Sequence, residues 1–217
     1  MSEILKRIIF GAIYVAIMWL GTSYSELTFN ILFLSLGLWS LHEMWKLRKG
    51  KSKLIAFLYV ITPFFLIQLF GMSDTNYPKN TFNPSLILLM FILTWTFDTF
   101  AFIVGVKFGK NKILPSVSPK KSWEGFIGGL FFCVLAGFIS QHYFRDYFEN
   151  ISYITIIILS FILPFTATIG DFIESYYKRQ AGVKDSGTLI PGHGGILDRM
   201  DAFMITIPVI YILINLI

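Results

Sequence analysis

Charge is what this sequence has least of. Only 14% of its 217 residues are Asp, Glu, Lys or Arg, against roughly 25% in a soluble domain. That is too little polar surface to cover one or two soluble domains of this length. Cysteine is almost absent. Cys133 stands alone inside an apolar run, so no intrachain disulfide forms and a small packed side chain is expected. The Cys and His spacing of a zinc site is missing. So is a Walker A motif, which excludes a P-loop enzyme. The chain has no repeat and no low-complexity tract. Its basic residues do not interleave with aromatics on a polar face, so nothing points to nucleic acid as a partner.

What the chain does have is oil. It is 55% hydrophobic and 18% aromatic, with a mean hydropathy of +0.66. The apolar residues come in runs near the ~20 residues that cross a bilayer as a helix. The runs are Ile8–Ser25, Leu27 to about Trp45, Leu54–Ser73, Ser85–Val106, Gly125–Gln141, Ile151–Gly170 and Ile196–Ile217. They do not alternate as barrel strands would. The fold class expected is an all-α polytopic membrane protein with about seven transmembrane helices. One integral membrane domain over 1–217 is expected, with a three-helix region at 1–80 and a region at 81–217 that is the candidate for any chemistry. Lys6 and Arg7 before the first run resemble a signal peptide's start, but that run is longer than a signal core, so an uncleaved first span is expected.

Charge sidedness sets the orientation. Sixteen of the eighteen Lys and Arg residues fall in segments on the side of the N-terminus. Only Lys79 and Arg145 fall on the other. By the positive-inside rule the N-terminus is in and the C-terminus is out. An integral membrane protein with its polar work facing the cytoplasm is then expected. Most of the basic cluster at 46–53 needs no role beyond orientation and contact with anionic lipid.

This topology gathers the unusual polar residues on one side. Asp98 lies in the fourth span among Phe97, Phe100 and Phe102. A carboxylate there costs about 2.5–3.5 kcal/mol unless it finds a partner or water. Asp171 closes the sixth span. If that helix continues, Asp171, Ser175 and Lys178 share a face, and Glu174 is placed to pair with Lys178. A Gly- and Pro-bearing loop follows from Gly182 to Gly195. His193-Gly194-Gly195 precede the seventh span, whose amides would attract phosphate. Asp198 and Asp201 then put carboxylates on the same helix. From Asp171 to Asp201 there are four basic and five acidic side chains, net −1 with His193 neutral. Carboxylates beside a phosphate site ask for a cation between them, and oxygen-ligated Mg²⁺ fits that charge balance. Gly125 and Gly129 form a GxxxG for helix packing.

The stretch SYYKRQAGVKDSGTLIPGHGGILDRMD (175–201) resembles the signature of the phosphatidate cytidylyltransferase family. The matching positions are Ser175, Lys178, Arg179, Lys184, Asp185, Gly187, Pro191, His193, Gly194, Gly195, Asp198, Arg199 and Asp201. SPKKSWEG at Ser118–Gly125 is similar to a second family element, and FDTFAFIVGVKFGK to a third. Phe102 stands where Tyr is usual, Val106 where Arg is usual and Ala202 where Ser is common. The resemblance implies transfer from CTP to phosphatidic acid, giving CDP-diacylglycerol and pyrophosphate with a divalent metal. It leaves room for a second cation such as K⁺ and suggests a homodimer among membrane lipids. On it, Asp171, Asp198, Asp201, Lys184 and Arg199 are the expected catalytic residues, with Asp171 and Asp198 as metal ligands. Ser118, Lys120, Lys121, Ser175, Lys178, Arg179, Asp185, His193, Gly194 and Gly195 are the expected substrate contacts. The DG-x-x-AR helix motif of CDP-alcohol phosphotransferases is absent. A transporter would place its charges near the midplane between inverted halves, and no such halves are present.

Overall fold

The computed structural model describes residues 3–71, 82–149 and 151–216, the side chains of 3, 4, 7, 71 and 216 excepted. The described residues form seven helices: α1 Glu3–Ser23, α2 Glu26–Leu47, α3 Leu54–Gly71, α4 Ser85–Phe108, α5 Trp123–Tyr143, α6 Tyr153–Gln180 and α7 Leu197–Leu216. The expected boundary at 80/81 and the polar loop carrying Lys79 lie outside the described residues. Three helices, α4, α5 and α6, are long and apolar enough to cross a membrane. Apolar helices of slightly shorter reach cover 8–23 and 54–70. The protein is an all-α membrane protein by this architecture. Its outward faces agree: Ile8, Leu20, Leu27, Ile55, Phe65, Phe131 and Ile154 are all exposed. A soluble surface rarely carries so much contiguous apolar area.

The helix starts follow local chemistry. Ser25 and Thr28 form a capping box before α2. Ser122 accepts from the Gly125 amide at 3.2 Å at the start of α5, and Ser152 from the Thr155 amide at 3.1 Å at the start of α6. Each satisfies one of the donors that a helix N-terminus leaves free. Prolines 63, 164 and 208 sit inside helices, as bilayer-spanning helices tolerate.

Helix α4 is the centre. Its first half is buried almost all round, from Ile87 to Phe91 without a break. It packs most closely on α5, while α6 packs on α7 and α7 on α3. The expected packing role of Gly125 and Gly129 is what the structure has. A Cβ on Gly129 would lie 2.8 Å from the Phe97 carbonyl oxygen and 2.9 Å from the Ala101 Cβ. A Cβ on Gly125 would lie 2.6 Å from the Ala101 carbonyl oxygen. Backbone cannot rotate out of the way as a side chain can. Gly129→Val should therefore part α4 from α5 and cost about 1–3 kcal/mol. Thermal unfolding in detergent reads this as a lowered midpoint; an unchanged midpoint would contradict the close crossing.

One feature differs from the all-helical expectation, and one helix outruns its apolar stretch. The basic segment between α4 and α5 is a two-stranded antiparallel hairpin, β1 Lys112–Leu114 and β2 Ser118–Ser122, with Lys112 opposite Ser122 and Leu114 opposite Ser118. A long loop must pair its backbone groups somewhere, and here it pairs them with itself. Glu124 clamps its root, accepting from the amides of Lys110 and Asn111 and from the Asn111 side chain. Helix α6 runs ten residues past Gly170 to Gln180. At about 42 Å it exceeds the ~30 Å of a hydrocarbon core. Its end is tied down by the 46–53 cluster: Lys51 Nζ donates to the Gln180 carbonyl and Arg48 Nη1 to the Gln180 side chain, both at 2.6 Å. Cations at a helix C-terminus also oppose its dipole. Two residues of that cluster thus have a structural task that sidedness did not require.

Candidate active site

The ends of six elements meet at one end of the bundle: the last turns of α2, α4 and α6, the first turns of α5 and α7, and the hairpin. The C-terminal half of α6 carries Asp171, Glu174, Ser175 and Lys178 along one side. Gly170 makes this possible. Any side chain there would run into the Asp201 carbonyl oxygen of α7, so the two helices cross with almost nothing between them. Tyr59 of α3 donates to the Gly170 carbonyl at 2.8 Å and fixes that crossing from the other side.

Two polar clusters result. In the first, Asp171 Oδ2 meets Lys121 Nζ of β2 at 2.7 Å. The Asp201 carboxyl lies close enough to Asp171 for the two groups to interact directly. Asp98 lies within electrostatic reach of Asp171, Asp201, Lys121 and Arg199. Of these carboxyls, Asp171 makes the direct contact with half-exposed Lys121, and Asp98 and Asp201 add negative charge nearby. In the second cluster, Lys178 Nζ is held between Glu174 and Asp198, with the Asp198 Oδ1 contact at 2.7 Å. Glu174 is the expected salt-bridge partner of Lys178. Asp198 Oδ2 accepts from Ser186 N at 2.8 Å and Gly195 N at 2.8 Å, and it lies 2.9 Å from Ser186 Oγ. Asp198 therefore faces the loop rather than Asp171, because in the first turn of α7 its side chain folds back toward the helix start. The carboxylate beside Asp171 is Asp201, one turn further on.

The loop amides are also spoken for. Glu43 of α2 is buried, 2% exposed. It accepts from Ile196 N at 3.1 Å, Leu197 N at 2.9 Å, Ser186 Oγ at 2.8 Å and Trp39 Nε1 at 3.1 Å. The expectation of free amides at the start of α7 is corrected here: the protein's own carboxylates occupy those of Gly195, Ile196 and Leu197. Gly194 has a φ of +84° and turns the chain between His193 and that helix. His193 lies against Gly11 of α1, where an added Cβ would be 3.4 Å from Nε2. Its Nδ1 and the Arg199 Nε are buried with no hydrogen-bond partner among the described residues. Arg179 donates to the Val183 carbonyl at 2.8 Å, Ser175 is buried, and Lys184 and Asp185 are exposed on the loop.

Beside the first cluster a cavity of about 760 Å³ opens between α4, α5 and the hairpin. Its hairpin side carries Lys112, Ser118, Lys120 and Lys121; its helix side carries Phe97, Asp98, Phe102, Val106 and Phe126. Asp98 is crowded by protein yet touches this open space, about 15 Å along α4 from Phe108 at the helix end. The structure thus gathers Lys120, Lys121, Ser118, Asp171 and Asp201 around or beside one cavity. It sets Asp198, Lys178 and the glycine loop behind them. Phe102 and Val106, which depart from the family pattern, both line the cavity.

Residues 55–217 match the model of the cytidylyltransferase family. The chain belongs to that family. It is 34% identical to the phosphatidate cytidylyltransferase of Rickettsia felis over 216 residues, 97% of this chain and 92% of the relative. The Rickettsia bellii phosphatidate cytidylyltransferase is 33% identical over 219 residues, covering 97% of this chain and 90% of its own. The Staphylococcus aureus (strain COL) phosphatidate cytidylyltransferase is 45% identical over 128 residues, 59% of this chain and 48% of its own length. The family match spans both polar clusters, the hairpin and the cavity, but starts beyond α2. Glu43 therefore lies outside it.

Sequence reasoning missed Glu43, Ser186 and the cavity roles of Lys112 and Ser122. A signal existed for Glu43. It is a lone acid at the end of an apolar run, and an ionisable residue there is a site candidate by default.

Proposed function

We propose that this chain is a phosphatidate cytidylyltransferase: CTP and phosphatidic acid give CDP-diacylglycerol and pyrophosphate. The observation that carries the reading is the Asp98–Asp171–Asp201 group facing Lys121 at a cavity with lysines on one side and aromatic and aliphatic side chains on the other. Such a cavity suits a phosphate with an apolar tail. In the reaction a phosphatidate oxygen forms a bond to the α-phosphorus of CTP as the bond to the β-phosphate oxygen breaks, and pyrophosphate leaves with that electron pair. A phosphate monoester is already nucleophilic, so no Ser or His activation is needed. Lys120 and Lys121, with Lys112, are placed to offset repulsion between the two anions and to orient them. Phe102 and Val106, which line the same cavity, would receive acyl chain.

Mg²⁺ is part of this reading. Among the described residues no three acidic, His or Cys side chains converge as a complete ligand set. Two adjacent carboxylates with substrate oxygens suit this ion, which usually binds through one or two carboxylates plus phosphates. Asp171 and Asp201 would hold it. Asp198 would have to give up Lys178 or its loop donors to join them. When bound, the ion supplies charge neutralisation at the phosphates. A seven-span topology with the N-terminus in and the C-terminus out would put this end of the bundle at the cytoplasmic surface, where CTP arrives in water while the lipid stays in the bilayer.

The test is a purified sample given α-labelled CTP and phosphatidic acid vesicles, with and without Mg²⁺. The label should enter the lipid, and only with the cation. Label left in free CDP would mean a CTP-dependent lipid kinase instead.

A further inference from the structure

The buried carboxylate of Glu43 has no use in the reaction as described. It lies twelve residues before the family match begins, and no ion pair to it occurs among the described residues. We propose that Glu43 is a positioning residue for this site: it holds the glycine loop and the first turn of α7 in the geometry that places Asp201, Asp198 and Lys178. The proposal rests on the cytidylyl-transfer reading above.

The argument is one of donors and acceptors. The start of α7 offers amides that an anion would satisfy. Glu43 supplies that anion from α2, more than 150 residues away in sequence. A buried carboxylate needs donors on both oxygens to remain in place. Glu43 Oε1 has Ile196 N and Trp39 Nε1; Oε2 has Leu197 N and Ser186 Oγ. Ser186 is the joint. Its hydroxyl lies within reach of both Glu43 Oε2 and Asp198 Oδ2, and its amide donates to Asp198. Asp198 in turn holds Lys178 of α6. One connected set of polar contacts therefore runs from α2 through the loop to α6, with α7 anchored at its start. Packing leaves no slack around it. A side chain in place of Gly187 or Gly195 would collide with the Glu43 carboxylate. The first turn of α7 is also what sets Asp201 against Asp171. A shift of about 1 Å there would cost roughly 100-fold in rate.

The test compares Glu43→Gln, Glu43→Asp and Ser186→Ala with the parent protein in lipid nanodiscs. Glutamine keeps the volume but replaces one acceptor oxygen with a donor, which opposes an amide or the Ser186 hydroxyl. Its kcat should fall by about 30–100-fold, with the KM for CTP changed by less than threefold. Trypsin cleavage after exposed Lys184 should speed up several-fold in folded protein. Ser186→Ala should act in the same direction, and the double variant should lose less than the product of the single losses, because both act on one chain of contacts. Glu43→Asp should recover part of the rate. Glu43→Gln with parental kcat and parental loop cleavage would overturn the proposal. So would losses that multiply in the double variant, or a fall in kcat that merely follows the folded fraction. A parent protein that transfers no label from CTP to lipid would instead count against the reaction assigned above. The loop-cleavage readout still reports on Glu43 in that case.

Discussion

Asp171→Asn is expected to lower cytidylyl transfer by about 10³-fold, the size of loss that follows removal of a preorganised charge partner at a reaction centre, while leaving the fold intact or firmer. The two halves of that expectation have separate causes. Asp171 and Asp201 lie side by side, and Lys121 balances only one of them. Without a cation one of the two carboxyls must keep a proton or repel the other across the Gly170 crossing. Removing one charge relieves that conflict. The loss on the other side is the Lys121–Asp171 pair, whose side chains are 33% and 24% exposed. Such a half-solvated pair is worth no more than about 1 kcal/mol. The thermal midpoint of the variant should therefore match or exceed that of the parent, as when a strained functional site is neutralised. Addition of Mg²⁺ should raise the midpoint of the parent and not of the variant, since a ligand that binds only the folded state stabilises it. Full transfer by Asp171→Asn, or a midpoint that falls together with the rate, would show that Asp171 is structural.

The helices were legible because burial in lipid leaves no choice. A run of about 20 apolar residues must pair its own backbone groups and does so as a helix. The breaks between runs carry Gly, Pro, Asn and charge, so the helix ends at Ser23, Leu47 and Gly71 fall close to where the apolar runs stop. The end of α6 was not legible in that way. Asp171, Glu174 and Lys178 read as a polar exit from the span, yet they stay in the helix because Asp171 finds Lys121 on β2, Lys178 finds Asp198 on α7, and Glu174 pairs with Lys178 one turn on. The hairpin was hidden for a different reason. SPKKS has no hydrophobic alternation, and its pairing depends on Glu124 clamping the loop from the start of α5.

Within the site, identities could be read but pairings could not. Asp198 and Asp201 are three apart, so both lie on one side of α7, and nothing local says which one turns back to the loop. That is decided by Ser186 and Gly195, which capture Asp198, and by the Gly170 contact, which presents Asp201 to Asp171. The helix start at Ile196 reads as an anion site from sequence alone, and it is one. Its anion is Glu43, supplied by a helix whose sequence gives no hint of where α7 begins.

Lys178→Met is the second large effect expected, and it falls on stability first. Lys178 is 8% exposed, Glu174 is fully buried and Asp198 is 8% exposed. The ammonium lies between the two carboxylates. Methionine fills the same space without the charge and takes the cation from both acids in a poorly solvated interior. Removing one partner of a buried ion pair costs about 3–5 kcal/mol, a large share of the ~5–15 kcal/mol that holds a typical protein together. Asp198 keeps the amides of Ser186 and Gly195, so most of the cost should come from Glu174, whose oxygens meet no other donor among the described residues. The variant should therefore give little folded protein, with a sharply lowered midpoint. The double variant Glu174→Gln with Lys178→Met should recover most of that midpoint, because it removes the stranded charge. Its transfer rate then separates the two roles open to Lys178. A double variant that regains stability but not transfer would assign Lys178 to the substrate phosphates or to holding Asp198 in place. One that regains both would make the lysine a counter-charge for Glu174 alone. A single Lys178→Met variant with the parent's midpoint would mean that the buried ion triad between α6 and α7 does not form.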